Sequence, residues 1–221
     1  PGLYAIGECN FSDHGANRLG ANSLLQACVD GYFILPYTIG NYLADELRAG
    51  KISPDQPAFA EAEQRVRDQL QRLIDINGNR TATDYHKELG ELLYDKCGVL
   101  RTREGLEEAI HKIRELRADF WQNLRVPGDA GYVNSELEKA GRVADYLELS
   151  ELMCYDALTR EESCGAHFRE EHQTTEGEAL RRDEAYQFVS VWGYAGEGAE
   201  PALHREELEF ETVQPSVRSY K

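Results

Sequence analysis

Apolar residues recur along the middle of the chain at the three- and four-residue spacing of helices, and the pattern predicts four helices in succession. Phe59, Val66, Leu70, Leu73 and Ile74 share one stripe, and Asn77-Gly78-Asn79 is a stop. A second helix begins after Thr81, with Asp84 in the capping-box position; it carries Tyr85, Leu89, Leu92 and Leu93 and ends at Gly98. A third follows Thr102 and presents Leu106, Ile110, Ile113, Phe120, Trp121 and Leu124 before Pro127-Gly128. The fourth starts near Ser135, with Glu138 three residues on, and carries Leu137, Val143, Leu147 and Leu158. Long amphipathic helices joined by short connections imply an antiparallel bundle.

The flanks read differently. Leu3 to Ile6, closed by Gly7, reads as a short buried strand that feeds a loop from Glu8 to Gly20. From Ser23 to about Leu47 apolar residues cover most of a helix circumference, so this helix is expected to be buried and to kink or break at Pro36. Beyond Arg160, Phe188 to Trp192 reads as a strand, Glu207 to Glu211 alternates strictly, and Thr174 to Asp183 reads as loop, so the tail is expected to form a small two-stranded element. The fold expected is therefore mainly α, in three parts: a strand-loop-helix piece over 1–50, the antiparallel bundle over 51–160, and a tail with a small β element over 161–221. The start at Pro1-Gly2, directly before an apolar run, reads as that of a fragment.

Composition narrows the partners. The 221 residues carry 24 Lys and Arg against 40 Asp and Glu, a net charge of -16 that argues against nucleic acid or an anionic membrane as a direct partner. No apolar run has the length of a membrane span. Five widely spaced cysteines form no Cys-x-x-Cys pair and read as reduced thiols, and no grouping has metal-ligand spacing or the makings of a nucleophilic triad. His86 and His111 fall on helix surfaces, and His172 and His204 on loops.

The run GLYAIGECNFSDHGANRLGANSLLQA, Gly2 to Ala27, closely resembles the end of the flavin-binding domain in succinate dehydrogenase and fumarate reductase flavoprotein subunits. REESCGAHFREE, Arg160 to Glu171, is similar to a second pattern of that family, and the terminal RSYK, Arg218 to Lys221, to the Arg-x-Tyr near its end. The resemblance implies that Arg18 binds a substrate carboxylate, for which a planar guanidinium offers a two-pronged fork. It also implies that Glu8 meets the FAD ribityl hydroxyls and that the backbone of Ser23 and Leu24 lies beside the flavin pyrimidine. There the positive end of a helix would favour negative charge on reduced flavin. His14 and Asn17 are candidates for the layer behind these residues, with direct contact to flavin or substrate the alternative for His14.

No Gly-x-Gly-x-x-Gly is present, so the resemblance places the FAD pyrophosphate site, the attachment histidine and the catalytic residues upstream. The fragment alone is expected to be inactive and to carry no catalytic residue of its own. Cys164 stands where many family members have arginine, and His167 with Arg160, Glu161, Glu162 and Arg169 reads as a structural network joining the bundle to the flavin domain. The function implied is interconversion of succinate and fumarate, with electrons passed to an iron-sulfur subunit and a membrane anchor beyond it. The implied place is cytoplasmic, at the inner face of the cell membrane through those partners. L-aspartate oxidase, with a similar Asn-Arg-Leu segment and bundle, is the alternative, although Gly20-Ala21 and the tail favour the dehydrogenase. A noncatalytic helical module that docks a partner through its acidic face is the alternative from a different class.

Overall fold

The computed structural model describes residues 3–14, 21–44, 46, 50–196, 199–212 and 214–216, with the backbone alone at 11–14. The chain forms two units, Pro1–Gln56 with Cys164–Ala166, and Pro57–Ser163 with His167–Lys221.

In the first unit Leu3 to Ile6 form no strand; these residues are exposed, and no second strand lies beside them among the described residues. A strand holds only when its backbone groups are paired, and here they are not. Two 3-10 turns follow over Gly7–His14, broken at Asn10 (φ -106°, ψ 57°). Helix α1 spans Asn22–Val29 and passes through a π-turn, Asp30–Ile34, into α2, Leu35–Ala44. Pro36 therefore neither kinks nor ends a single α-helix. The wider turn before it makes room for a ring that an unbroken i to i+4 ladder would clash with.

The expected burial of this helix is overturned. Leu24 and Phe33 are 64% and 67% exposed, whereas the polar Ser23, Gln26 and Asp30 are buried. These three recur at i, i+3 and i+7, one face of a helix. That face packs on the 3-10 segment, whose backbone offers polar groups to bond and little apolar surface to cover.

The second unit is built on α3 (Pro57–Asp75), α4 (Ala82–Lys96), α5 (Arg103–Asn123) and α6 (Ser135–Thr159). Ion pairs record the antiparallel order. Arg80, just before α4, meets Asp119 on α5 and Lys96 on α4 meets Glu108 on α5, while Arg103 on α5 meets Glu161 just past α6 and Arg117 on α5 meets Glu148 on α6. Tyr85, Leu89, Leu106, Ile113, Phe120 and Leu147 are buried at the centre, and Tyr85 and Phe120 meet edge to face at 5.2 Å.

The caps explain where the helices start. Thr81 and Asp84 form the expected capping box on α4, and Thr102 accepts from Gly105 N at the start of α5. On α6 the cap is Asn134 rather than Ser135: its Oδ1 accepts from the amides of Glu136 and Leu137, and its Nδ2 donates to the Pro127 carbonyl. A serine cap offers no second arm of that kind, so asparagine ties the preceding loop down as well.

Two parallel ladders of two residues each close the bundle ends: β1 (Arg80–Thr81) with β3 (Leu124–Arg125), and β2 (Leu100–Arg101) with β4 (Phe168–Arg169). After the short α7 (Asp183–Tyr186) the tail makes the expected hairpin, β5 (Phe188–Gly193) antiparallel to β6 (Ala202–Glu207), with His204 on a strand rather than a loop. The second strand ends where the alternation of Glu207 to Glu211 begins. Glu207 pairs with Phe188, and α7 occupies the chain up to Tyr186, so no strand remains beyond the last bond, Leu208 N to Gln187 O. Among the described residues no helix is long and apolar enough to cross a membrane.

Candidate functional site

Glu8, Ser23 and Leu24 lie in the first unit. Glu8 is exposed in the first turn after Gly7, while Ser23 and Leu24 occupy the first turn of α1. Arg18 and Asn17 lie outside the described residues, and of His14 the backbone alone is described.

The start of α1 suits a bound group. Ala21, the residue before the helix, supplies no side-chain cap, so the first-turn amides have no cap from it. Ser23 is 1% exposed, and its Oγ has no hydrogen-bond partner among the described residues. A buried hydroxyl without a partner costs stability unless something else meets it. An uncapped helix start beside it favours groups that accept hydrogen bonds or carry negative charge. These residues could therefore meet a bound group of that kind. Leu24 points the other way, into solvent.

The 3-10 segment that carries Glu8 is fastened to α1 by two side chains that sequence reasoning missed. The Asp30 carboxylate accepts from Gly7 N at 2.8 Å, and Gln26 Nε2 donates to the Asn10 carbonyl. Gly7 has φ +68°, and a Cβ there would stand 3.2 Å from the Ala27 Cβ, so the position calls for glycine. The available signal was polar residues at helical spacing inside an otherwise apolar helix.

Arg160 to Ser163 and His167 to Glu171 form a polar network in the second unit. The fully buried Arg169 donates through Nη1 to the Ala157 and Leu158 carbonyls and through Nε to Glu171. A guanidinium there satisfies the open carbonyls of the α6 C-terminus and its partial negative charge. Ser163 Oγ accepts from Arg169 N at 2.8 Å, and Arg160 reaches Glu162 together with the Tyr186 and Phe188 carbonyls. His167 lies between Arg101 Nη1, 2.7 Å from its Nδ1, and the Arg160 carbonyl, 2.9 Å from its Nε2. Burial, and then the neighbouring arginines, lower its pKa below the ordinary histidine value. With its ring held between an arginine and a carbonyl, His167 is built into the framework. Among the described residues no cluster of His, Cys, Asp and Glu could hold a metal ion.

Residues 86–220 match the family model described as fumarate reductase flavoprotein C-term. The fumarate reductase flavoprotein subunit of Proteus vulgaris is 30% identical over 99% of this chain, and the succinate dehydrogenase flavoprotein subunit of Bacillus subtilis is 26% identical over 100% of it. The chain spans 35% and 36% of the length of those two relatives. An Escherichia coli quinol fumarate reductase structure superposes with a TM-score of 0.78 at 27% identity, covering 98% of this chain and 35% of that one. The Mycobacterium smegmatis Sdh1 complex superposes with a TM-score of 0.71 at 26% identity, covering 95% and 33%. By a family model that covers more than half of its residues, and by relatives alike along its whole length, the chain belongs to the family of fumarate reductase and succinate dehydrogenase flavoprotein subunits.

Proposed function

We propose that the chain is the C-terminal part of a flavoprotein subunit that interconverts succinate and fumarate by hydride transfer with FAD and passes electrons to an iron-sulfur subunit. The observation that carries this reading is the likeness, along 99% of the chain, to a subunit named for that reaction. The start of α1 supports it from the side of physical chemistry, through a Ser23 hydroxyl without a partner among the described residues and an Ala21 that offers no side-chain cap.

A flavin bound here supplies the two-electron chemistry that side chains lack. This chain's own residues bind and orient. Arg18 holds a carboxylate of the substrate and fixes its position for reaction. Glu8 accepts from ribityl hydroxyls, and the amides at Ser23 and Leu24 face the pyrimidine. His14 and Asn17 belong to the layer that supports the residues touching cofactor and substrate. The FAD pyrophosphate site and the proton-transferring residue belong to segments upstream of this one, so the 221-residue chain alone is expected to oxidise no succinate. The iron-sulfur subunit and a membrane anchor complete the assembly, and the subunit sits peripherally at the cytoplasmic face of the membrane through them.

Anaerobic visible spectroscopy on the protein as its gene encodes it in full tests this reading. Succinate is expected to bleach the flavin, L-aspartate is not, and Arg18→Ala is expected to abolish the response. Bleaching by aspartate alone would move the chain to the oxidase, and a protein without flavin would sink the reading.

A further inference from the structure

The buried face of α1 is polar where its neighbours are apolar, and each buried group on it has a place in the geometry of the site. Asp30, 4% exposed, holds Gly7 N, and Gln26, 8% exposed, holds the Asn10 carbonyl at the break between the two 3-10 turns. Glu8 lies between these two fastenings. Ser23 lies on the same helix face, one turn before Gln26. Two residues of backbone on either side of Glu8 are thus tied to the helix whose first turn carries Ser23 and Leu24.

We infer that Asp30, assisted by Gln26, is a positioning residue that sets Glu8 at a fixed place relative to the start of α1. The inference rests on the flavin reading of Glu8 and adds to it the device that keeps Glu8 within reach of the same ligand as Ser23. A carboxylate suits the task because a charged acceptor binds an amide more strongly than a neutral one. The left-handed backbone of Gly7, packed on Ala27, leaves the amide little freedom to turn elsewhere. The π-turn that begins at Asp30 ends the α-helical spacing at the residue where this bond is made.

The test uses the protein as its gene encodes it in full and compares Asp30→Asn, Asp30→Leu, Gln26→Leu, Glu8→Gln and the Asp30→Leu, Glu8→Gln double variant. Hydrogen exchange of the Gly7 amide reads the Asp30 bond without reference to flavin, and visible absorbance per protein reads flavin occupancy. Asparagine keeps an acceptor oxygen without the charge, so Asp30→Asn is expected to retain most of the amide protection and occupancy. Asp30→Leu is expected to lose the protection and to lower flavin affinity about tenfold, the effect of one charge-assisted hydrogen bond. Gln26→Leu is expected to shift occupancy in the same direction.

Because Asp30 acts through Glu8, the double variant is expected to bind flavin no worse than Glu8→Gln alone. Full occupancy in both Asp30→Leu and Gln26→Leu, or additive losses in the double variant, overturns the inference while leaving the flavin reading intact. Should Asp30→Leu fail to fold, Gln26→Leu and rescue by Asp30→Asn decide the matter. A wild-type protein without flavin removes both the reading and the inference.

Discussion

His167 shows how much a single ring can be constrained. A carbonyl oxygen only accepts, so the Arg160 carbonyl requires a proton on Nε2; the Arg101 guanidinium only donates, so Nδ1 must be bare. The neutral ring with its proton on Nε2 is the one form that satisfies both. Protonation would set a second N–H against Arg101, with Arg160 and Arg169 also acting on the ring. The folded pKa lies below that of the unfolded chain, so the unfolded state takes up more protons at acid pH. The contribution of His167 is therefore full above about pH 6.5, the unfolded value, and is lost as the pH falls through the folded value. Urea unfolding of the wild type and His167→Gln across pH tests this, because carboxylate titrations common to both proteins cancel. The expected gap is about 1 kcal/mol near neutrality, shrinking on acidification. A gap that stays constant would show that the neutral ring is not what the site requires. At the same scale, Thr81→Ala removes the α4 cap and is expected to cost about 1 kcal/mol in the same assay.

Among elements, the two-residue ladders are small but exacting. Gly78 lies where a Cβ would come within 2.2 Å of the Asn123 backbone, and its amide donates to the Leu124 carbonyl. Gly78→Ala must push α5 and the β1–β3 ladder apart, at an expected cost of about 3 kcal/mol, read as a lowered urea midpoint with an unchanged slope. From sequence, Asn77-Gly78-Asn79 looked like a helix stop and nothing more, since a close approach to a chain some forty residues later leaves no local trace. The same contrast holds elsewhere. The helices of the bundle were legible because their evidence is local: apolar spacing, and pairs such as Thr81 and Asp84 three residues apart. The first strand of the tail hairpin is legible at Phe188, but the second is misplaced, because Glu207 to Glu211 alternates as a strand does whereas its register depends on where Phe188 begins. The candidate site divides likewise. Glu8, Ser23 and Leu24 were singled out by a contiguous motif, but Asp30 and Gln26 were not, because a polar side chain in an apolar helix gains meaning only from the Gly7 and Asn10 groups it meets.

For the whole molecule, the two units differ in what holds them. The bundle buries Tyr85, Phe120, Leu106 and Leu147 completely and seals the end of α6 with Arg169. The first unit exposes Leu24, Leu25, Tyr32 and Phe33 and keeps its polar face inside. Burial of apolar area is the dominant stabilising term, at about 25 cal/mol per Å². The first unit, which leaves much of that area in water, has little to offset the entropy of ordering its backbone. Local opening free energies should follow the same division. In hydrogen exchange on the 221-residue chain, the amides of α4, α5 and α6 are expected to exchange slowly and together, and those of α1 and α2 early. In the protein as encoded in full, the exposed apolar side of α1 is expected to be covered and its amides to slow markedly. If α1 were as protected as α5 in the 221-residue chain, the polar fastenings at Gly7 and Asn10 would outweigh the exposed leucines. The unit carrying Glu8 and Ser23 would then be assembled before any other segment arrives.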